Sequence, residues 1–181
     1  MNVTVYLGSS FGNRKTYRSH VAQLGKIIGG LGHNLVYGGS REGLMGLLAD
    51  AALEAGGRVT GVEPRFFLDQ AVQHEGIHEL IAVETMAERR VRMMELGDVF
   101  IAFPGGAGTL DEASEVICML KLGKISGSII FYNLDGYYDP MKMMLDNMVK
   151  EGFMFESDLE NILFFNDMRQ VRKFLENKKE F

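Results

Sequence analysis

With 181 residues, 46% of them hydrophobic, and a mean hydropathy of zero, the chain is apolar enough to bury a full core and too polar for a membrane protein. Its 19 basic and 24 acidic residues leave a net charge of −5 with no basic cluster, which argues against a nucleic-acid partner, and no stretch has membrane-spanning length or a leader pattern. One cysteine, Cys118, cannot build a disulfide framework, so a cytoplasmic location is expected.

Hydrophobic periodicity predicts strands alternating with helices. A strand over 3–8 precedes a helix over 17–31, and a strand over 34–37 precedes a helix over 44–55. Strands over 58–62 and 79–84 follow, then a helix over 86–96. A strand over 98–103 leads to a helix over 109–122, and a strand over 128–133 to a helix over 138–151. A last strand over 162–165 and a helix over 168–176 precede a solvated tail, Lys178-Lys179-Glu180. The runs 99–103 and 129–132 are apolar throughout, as strands covered on both faces must be. The expected fold class is α/β: a single domain over 1–181 built on an open, doubly wound, parallel, Rossmann-like sheet.

Glycine-rich turns follow three of these strands, at Gly8-Ser9-Ser10, at Gly38-Gly39-Ser40 and at Gly105-Gly106-Ala107-Gly108. In a parallel sheet all three open on the same edge, where such folds bind ligands. The third turn, between a strand and a helix, outlines an anion site. Glycines let the backbone approach closely, and free N–H groups of the first helical turn point at the ligand. Neither the nucleoside-triphosphatase loop nor the dinucleotide fingerprint fits, because Asp111 stands where the latter needs a glycine. Asp111 and Glu112 are expected in the first helical turn, with Thr109 as N-cap. The helix over 86–96 offers Glu88 and Arg92 as an i,i+4 pair. Cys118 reads as a small buried side chain, and His20, His33, His74 and His78 have no zinc-like spacing, so no metal is expected.

Residues 104–112 match Pro-Gly-Gly-x-Gly-Thr-x-x-Glu, and the chain here resembles the LOG ("lonely guy") family. These are cytokinin riboside monophosphate phosphoribohydrolases, often labelled lysine decarboxylases. Val5-Tyr6-Leu7-Gly8-Ser9-Ser10, the run 36–46, Met86-Ala87-Glu88-Arg89-Arg90-Val91-Arg92-Met93 and Asp135-Gly136-Tyr137-Tyr138-Asp139-Pro140 are similar to further family segments. The resemblance implies hydrolysis of the N-glycosidic bond of a nucleoside 5′-monophosphate, without a cofactor, by a homodimer joined through helices beside the loop. It implies Arg89 and Glu112 as catalytic residues. It implies Ser9, Gly39, Arg90, Gly105, Gly106, Ala107, Gly108, Thr109, Leu110, Asp111 and Cys118 as substrate-binding. Ala71, Ala87, Arg90 and Cys118 depart from the family pattern, which leaves the preferred base open. The competing class is a non-catalytic nucleotide or molybdenum-cofactor carrier, which shares the fold and glycine loops without needing the pair of Arg89 and Glu112.

Overall fold

The computed structural model describes residues 1–68 and 72–178. Its strands are β1 (Asn2–Tyr6), β2 (Asn34–Tyr37), β3 (Arg58–Pro64), β4 (Glu79–Val83), β5 (Val99–Ala102), β6 (Ile129–Tyr132) and β7 (Ile162–Phe165). Its helices are α1 (Lys15–Gly30), α2 (Gly43–Glu54), α3 (Arg65–Leu68), α4 (Met86–Leu96), α5 (Ala107–Lys121), α6 (Asp139–Lys150) and α7 (Met168–Asn177). The strands form one sheet in the order β4-β3-β2-β1-β5-β6-β7, every neighbour parallel. The order reverses at β1, which pairs with β2 through Val3↔Leu35 and with β5 through Val5↔Ile101. A ligand crevice opens at such a reversal, beyond the carboxyl ends of the strands.

Side-chain alternation along the strands builds two cores. Val3, Val5, Leu35, Tyr37, Val59, Ile101 and Phe103 pack with Leu24, Ile28, Leu48 and Val171 under α1, α2 and α7. Tyr6, Val36, Val62, Phe100 and Phe131 pack with Met93, Val116, Ile117 and Leu145 under α4, α5 and α6. Both faces of the central strands are therefore apolar, which is why their sequences show no polar alternation.

Local chemistry sets the helix ends. Thr85 accepts from the Glu88 N–H to cap α4, and Asp167 with Gln170 forms a capping box on α7. Every predicted strand and helix is present, most within one or two residues of the expected ends. Three departures matter. Strand β3 runs on to Pro64 because β4 pairs with it as far as Pro64↔Val83. The short α3 and two 3₁₀ turns, Leu134–Gly136 and Glu156–Leu159, have too few residues to carry a period. And α5 starts at Ala107, since extended Gly106 is its N-cap; Thr109 is not the cap, and Asp111 and Glu112 fall in the second turn. The expected Glu88–Arg92 pair does not form either. Glu88 turns back to accept from the Glu84 N–H at 2.9 Å, and Arg92 reaches Glu95 at 3.2 Å. Among the described residues no helix is long and apolar enough to cross a membrane.

Candidate active site

A cleft of about 480 Å³ opens along the carboxyl edge of the sheet, a volume in the range of small-molecule sites. Gly8 and Ser9 after β1, Gly38 and Ser40 after β2, and Gly106, Ala107, Gly108 and Thr109 at the start of α5 line it. The three predicted turns thus converge. They do so by direct contact: a β-carbon on residue 105 would overlap Thr109 Oγ1 and lie 2.8 Å from the Gly8 nitrogen. Behind the loop, the Tyr138 hydroxyl donates to the Phe103 carbonyl at 2.8 Å and the Tyr137 hydroxyl donates to that of Gly105. The segment 135–140 therefore braces the glycine loop from outside.

Arg89 from α4 and Glu112 from α5 meet in the cleft lining. Arg89 Nη1 donates to Glu112 Oε1 at 2.7 Å, and its Nε donates to the Val62 carbonyl at 2.9 Å. The two side chains are only 8% and 7% exposed, so neither belongs to a solvated helix face. A β-carbon on residue 38 would overlap the Arg89 guanidinium, which explains the glycine there. Burial pushes the Glu112 carboxyl above its ordinary value, while the charge and hydrogen bond of Arg89 pull it back. Tyr6 lies beside the pair with its hydroxyl buried and unpartnered; burial and the charges of Glu112 and Glu115 raise its phenol well above the usual value.

The other predicted residues divide. Ser9, Gly106, Ala107, Gly108 and Thr109 join Arg89 and Glu112 in the cleft lining. Gly105 lines a neighbouring hollow of about 380 Å³ with Tyr17 and Tyr137. Gly39, with φ +88°, lies against Glu63, and Gly38 takes its place in the cleft. Arg90 turns to the outer side of α5, where it bonds Glu115 at 2.7 Å and Asp111 at 3.1 Å. Leu110 is 53% exposed. Cys118 is exposed rather than buried, because it follows Asp111 by seven residues on the same outer face of α5. Ala71 and the tail beyond residue 178 lie outside the described residues. Sequence reasoning missed Glu63, Met45, Phe67 and Val72, all in the lining. The signal available for Glu63 was a lone carboxylate in an apolar strand. No group of three or more His, Cys, Asp or Glu gathers at a possible metal site among the described residues.

A family described as "possible lysine decarboxylase" matches residues 45–175, a span that holds both Arg89 and Glu112. The chain belongs to that family, which includes the LOG proteins. Cytokinin riboside 5′-monophosphate phosphoribohydrolase LOG of Oryza sativa subsp. japonica is 41% identical over 154 residues, 85% of this chain and 64% of that one. The LOG2 enzyme of that name from Arabidopsis thaliana is 36% identical over 174 residues, 96% of this chain and 82% of that one. The chain thus spans a little under two thirds of its rice relative and over four fifths of the second. Among solved structures, the molybdenum cofactor carrier protein of Chlamydomonas reinhardtii superposes with a TM-score of 0.74 at 18% identity, covering 97% of this chain and 96% of that one. The molybdenum cofactor binding protein of Rippkaea orientalis gives 0.73 at 16%, covering 97% and 95%. At such identities the likeness is one of fold.

Proposed function

We propose that this LOG-family chain is a hydrolase that cleaves the N-glycosidic bond of nucleoside 5′-monophosphates, releasing free base and ribose 5-phosphate. The observation that carries this reading is the buried Arg89–Glu112 pair, 2.7 Å apart, facing a glycine loop at a helix N-terminus. Free N–H groups at residues 106–109 suit a 5′-phosphate, and the helix dipole favours its charge. Holding the phosphate there places the ribose over the pair and lets remote binding energy act at C1′. Bond breaking at C1′ develops oxocarbenium character, as in glycoside hydrolysis. Arg89 favours the ionised form of Glu112 against the effect of burial and engages one of its oxygens. The other is left to stabilise positive charge on the ribose and to take a proton from the attacking water. Arg90 and Asp111 pair with each other on the outer side of α5 at 3.1 Å and so tie α4 to α5.

Relatives of 35–42% identity named phosphoribohydrolases support the same reading, and cytokinin ribotides are the substrates their names carry. One nucleotide-binding α/β domain suffices for this chemistry, and we read the active unit as a homodimer in the cytoplasm. Incubation with a panel of nucleoside 5′-monophosphates and their nucleosides, with detection of free base, tests it. The monophosphates are expected to be cleaved and the nucleosides not, the loss appearing in kcat as well as KM because phosphate anchoring is used at the reacting centre. Comparable rates on adenosine and AMP would count decisively against it.

A further inference from the structure

Glu63 is a carboxylate that the reaction above does not use. It is the sixth of the seven residues of β3, in the stretch beyond Val62, 2% exposed, with Oε2 buried and bonded to nothing. It nevertheless lines the cleft, and its Oε2 lies 3.1 Å from where a β-carbon on Gly39 would stand. An unpartnered carboxylate in a strand is costly to bury, and an apolar side chain would be cheaper at this position. Its place along the sheet edge suggests what it serves. From the phosphate loop after β5 to β3 there are three strand spacings, β5 to β1 to β2 to β3, or roughly 14 Å. That is the span of a nucleotide from phosphate to base once side chains reach inward. The same cleft lining includes Met45, Phe67, Val72 and Met86, apolar surfaces suited to a flat heterocycle.

We propose that Glu63 is the general acid that protonates the departing nucleobase, an assignment that rests on the hydrolase reading above. As the C1′–N bond breaks, its electron pair passes to the base and the Glu63 proton moves to a ring nitrogen. Water adds to C1′ and gives its proton to Glu112. Exchange with solvent returns Glu63 to its acid form and Glu112 to its carboxylate, so the products are neutral base and ribose 5-phosphate. The two carboxylates differ in their partners. Glu112 accepts from Arg89 at 2.7 Å, a donor and charge that favour its anion against the effect of burial, whereas Glu63 Oε2 has no donor to stabilise one. Burial raises the Glu63 carboxyl to about 7, against a smaller opposing effect of the Arg89 charge. The titratable groups around it are Arg89 on α4, Tyr37 on β2 with Asp50 behind it paired to His74, and Glu42 and Glu112 in the same lining.

The test compares AMP with 4-nitrophenyl β-D-ribofuranoside 5-phosphate, whose nitrophenolate leaves without a proton. In Glu63→Gln, the ratio of AMP turnover to nitrophenyl turnover is expected to fall by about 10²-fold or more. In the wild-type enzyme, kcat/KM for AMP is expected to decline as pH rises through about 7, and the nitrophenyl substrate to lack that limb. This second measurement needs no variant. A ratio unchanged in the variant, or the same alkaline limb on both substrates, overturns the role of Glu63 and leaves the hydrolase reading standing. A wild-type enzyme that cleaves neither substrate overturns both.

Discussion

At the scale of single residues, a buried ion pair is costly to break and is retained for what it does. Arg89 and Glu112 bury two opposite charges, and removing either partner leaves the other uncompensated. Glu112→Gln keeps the hydrogen bond and the shape but leaves the Arg89 charge unbalanced, so the fold and nucleotide binding are expected to survive at a cost in stability. Turnover is expected to fall by about 10²–10⁴-fold, the contribution of a positioned carboxylate. Binding by calorimetry alongside single-turnover kinetics checks this, and near-wild-type turnover would remove Glu112 from the mechanism. Glu63 also carries a stability signature. Its carboxyl titrates near 4.5 when unfolded and near 7 in the fold. Between those values the native state binds more protons than the unfolded chain, so stability declines as pH rises through that window and the full cost is present above it. Glu63→Gln abolishes the cost. The variant is therefore expected to gain on the wild type between about pH 5 and about pH 8, by on the order of 3 kcal/mol at most. Urea midpoints at the two pH values measure the gain, and a difference independent of pH would refute it.

At the scale of elements, the contact between α1 and α2 is closer than side chains normally allow. Gly25 and Gly29 on α1 lie against the carbonyls of Leu48 and Ala52 on α2, and a β-carbon at residue 25 would come 2.5 Å from the Leu48 oxygen. Gly25→Ala and Gly29→Ala are each expected to cost about 1–3 kcal/mol, because the helices must separate from a filled core. Gly30→Ala in the same helix meets no atom within 4 Å. It is expected to stabilise by about 0.4–1 kcal/mol through a less flexible unfolded chain. Thermal or urea unfolding of the three variants distinguishes packing from helix propensity, since propensity alone gives all three the same sign. The elements also show where sequence reasoning stopped. Residues 34–37, 86–96 and 162–165 were bounded correctly by periodicity alone. The expected strand ended at Val62, ahead of a charged residue and a proline, Glu63 and Pro64. Pairing with β4 overrides that local reading, and it is this extension that carries Glu63 into the cleft.

At the scale of the molecule, α4 and α5 leave apolar side chains outside. Val116 and Ile117 pack into the core beneath α5. Val91 on α4, Leu110 on α5 and Leu122 just beyond it remain exposed, at 45%, 53% and 59%. These are the helices that hold Arg89 and Glu112. A two-fold dimer through this face would bury the apolar surface and tie assembly to activity. Sedimentation equilibrium at micromolar concentration is expected to report twice the 20.2 kDa chain mass. A fully active species of 20.2 kDa would exclude a dimer-dependent site.

The sequence alone determined the α/β class, the alternation of elements and the three glycine turns on one edge of the sheet. Each of these follows from local signals: apolar periodicity, backbone freedom at glycine and the parallel connection of strands. The motif over 104–112 likewise pointed to Glu112 before any geometry was known. Only the tertiary structure decided which charged residues are inside. Arg89 and Arg90 are neighbours on one helix, yet the first is buried against Glu112 and the second faces Asp111 and Glu115 outside. Glu112 and Cys118 share a helix and end in the cleft and in solvent. Such differences depend on how α4 and α5 are rotated against the sheet, and that rotation is set by packing among residues far apart in the chain, including Tyr6, Val62 and Met93.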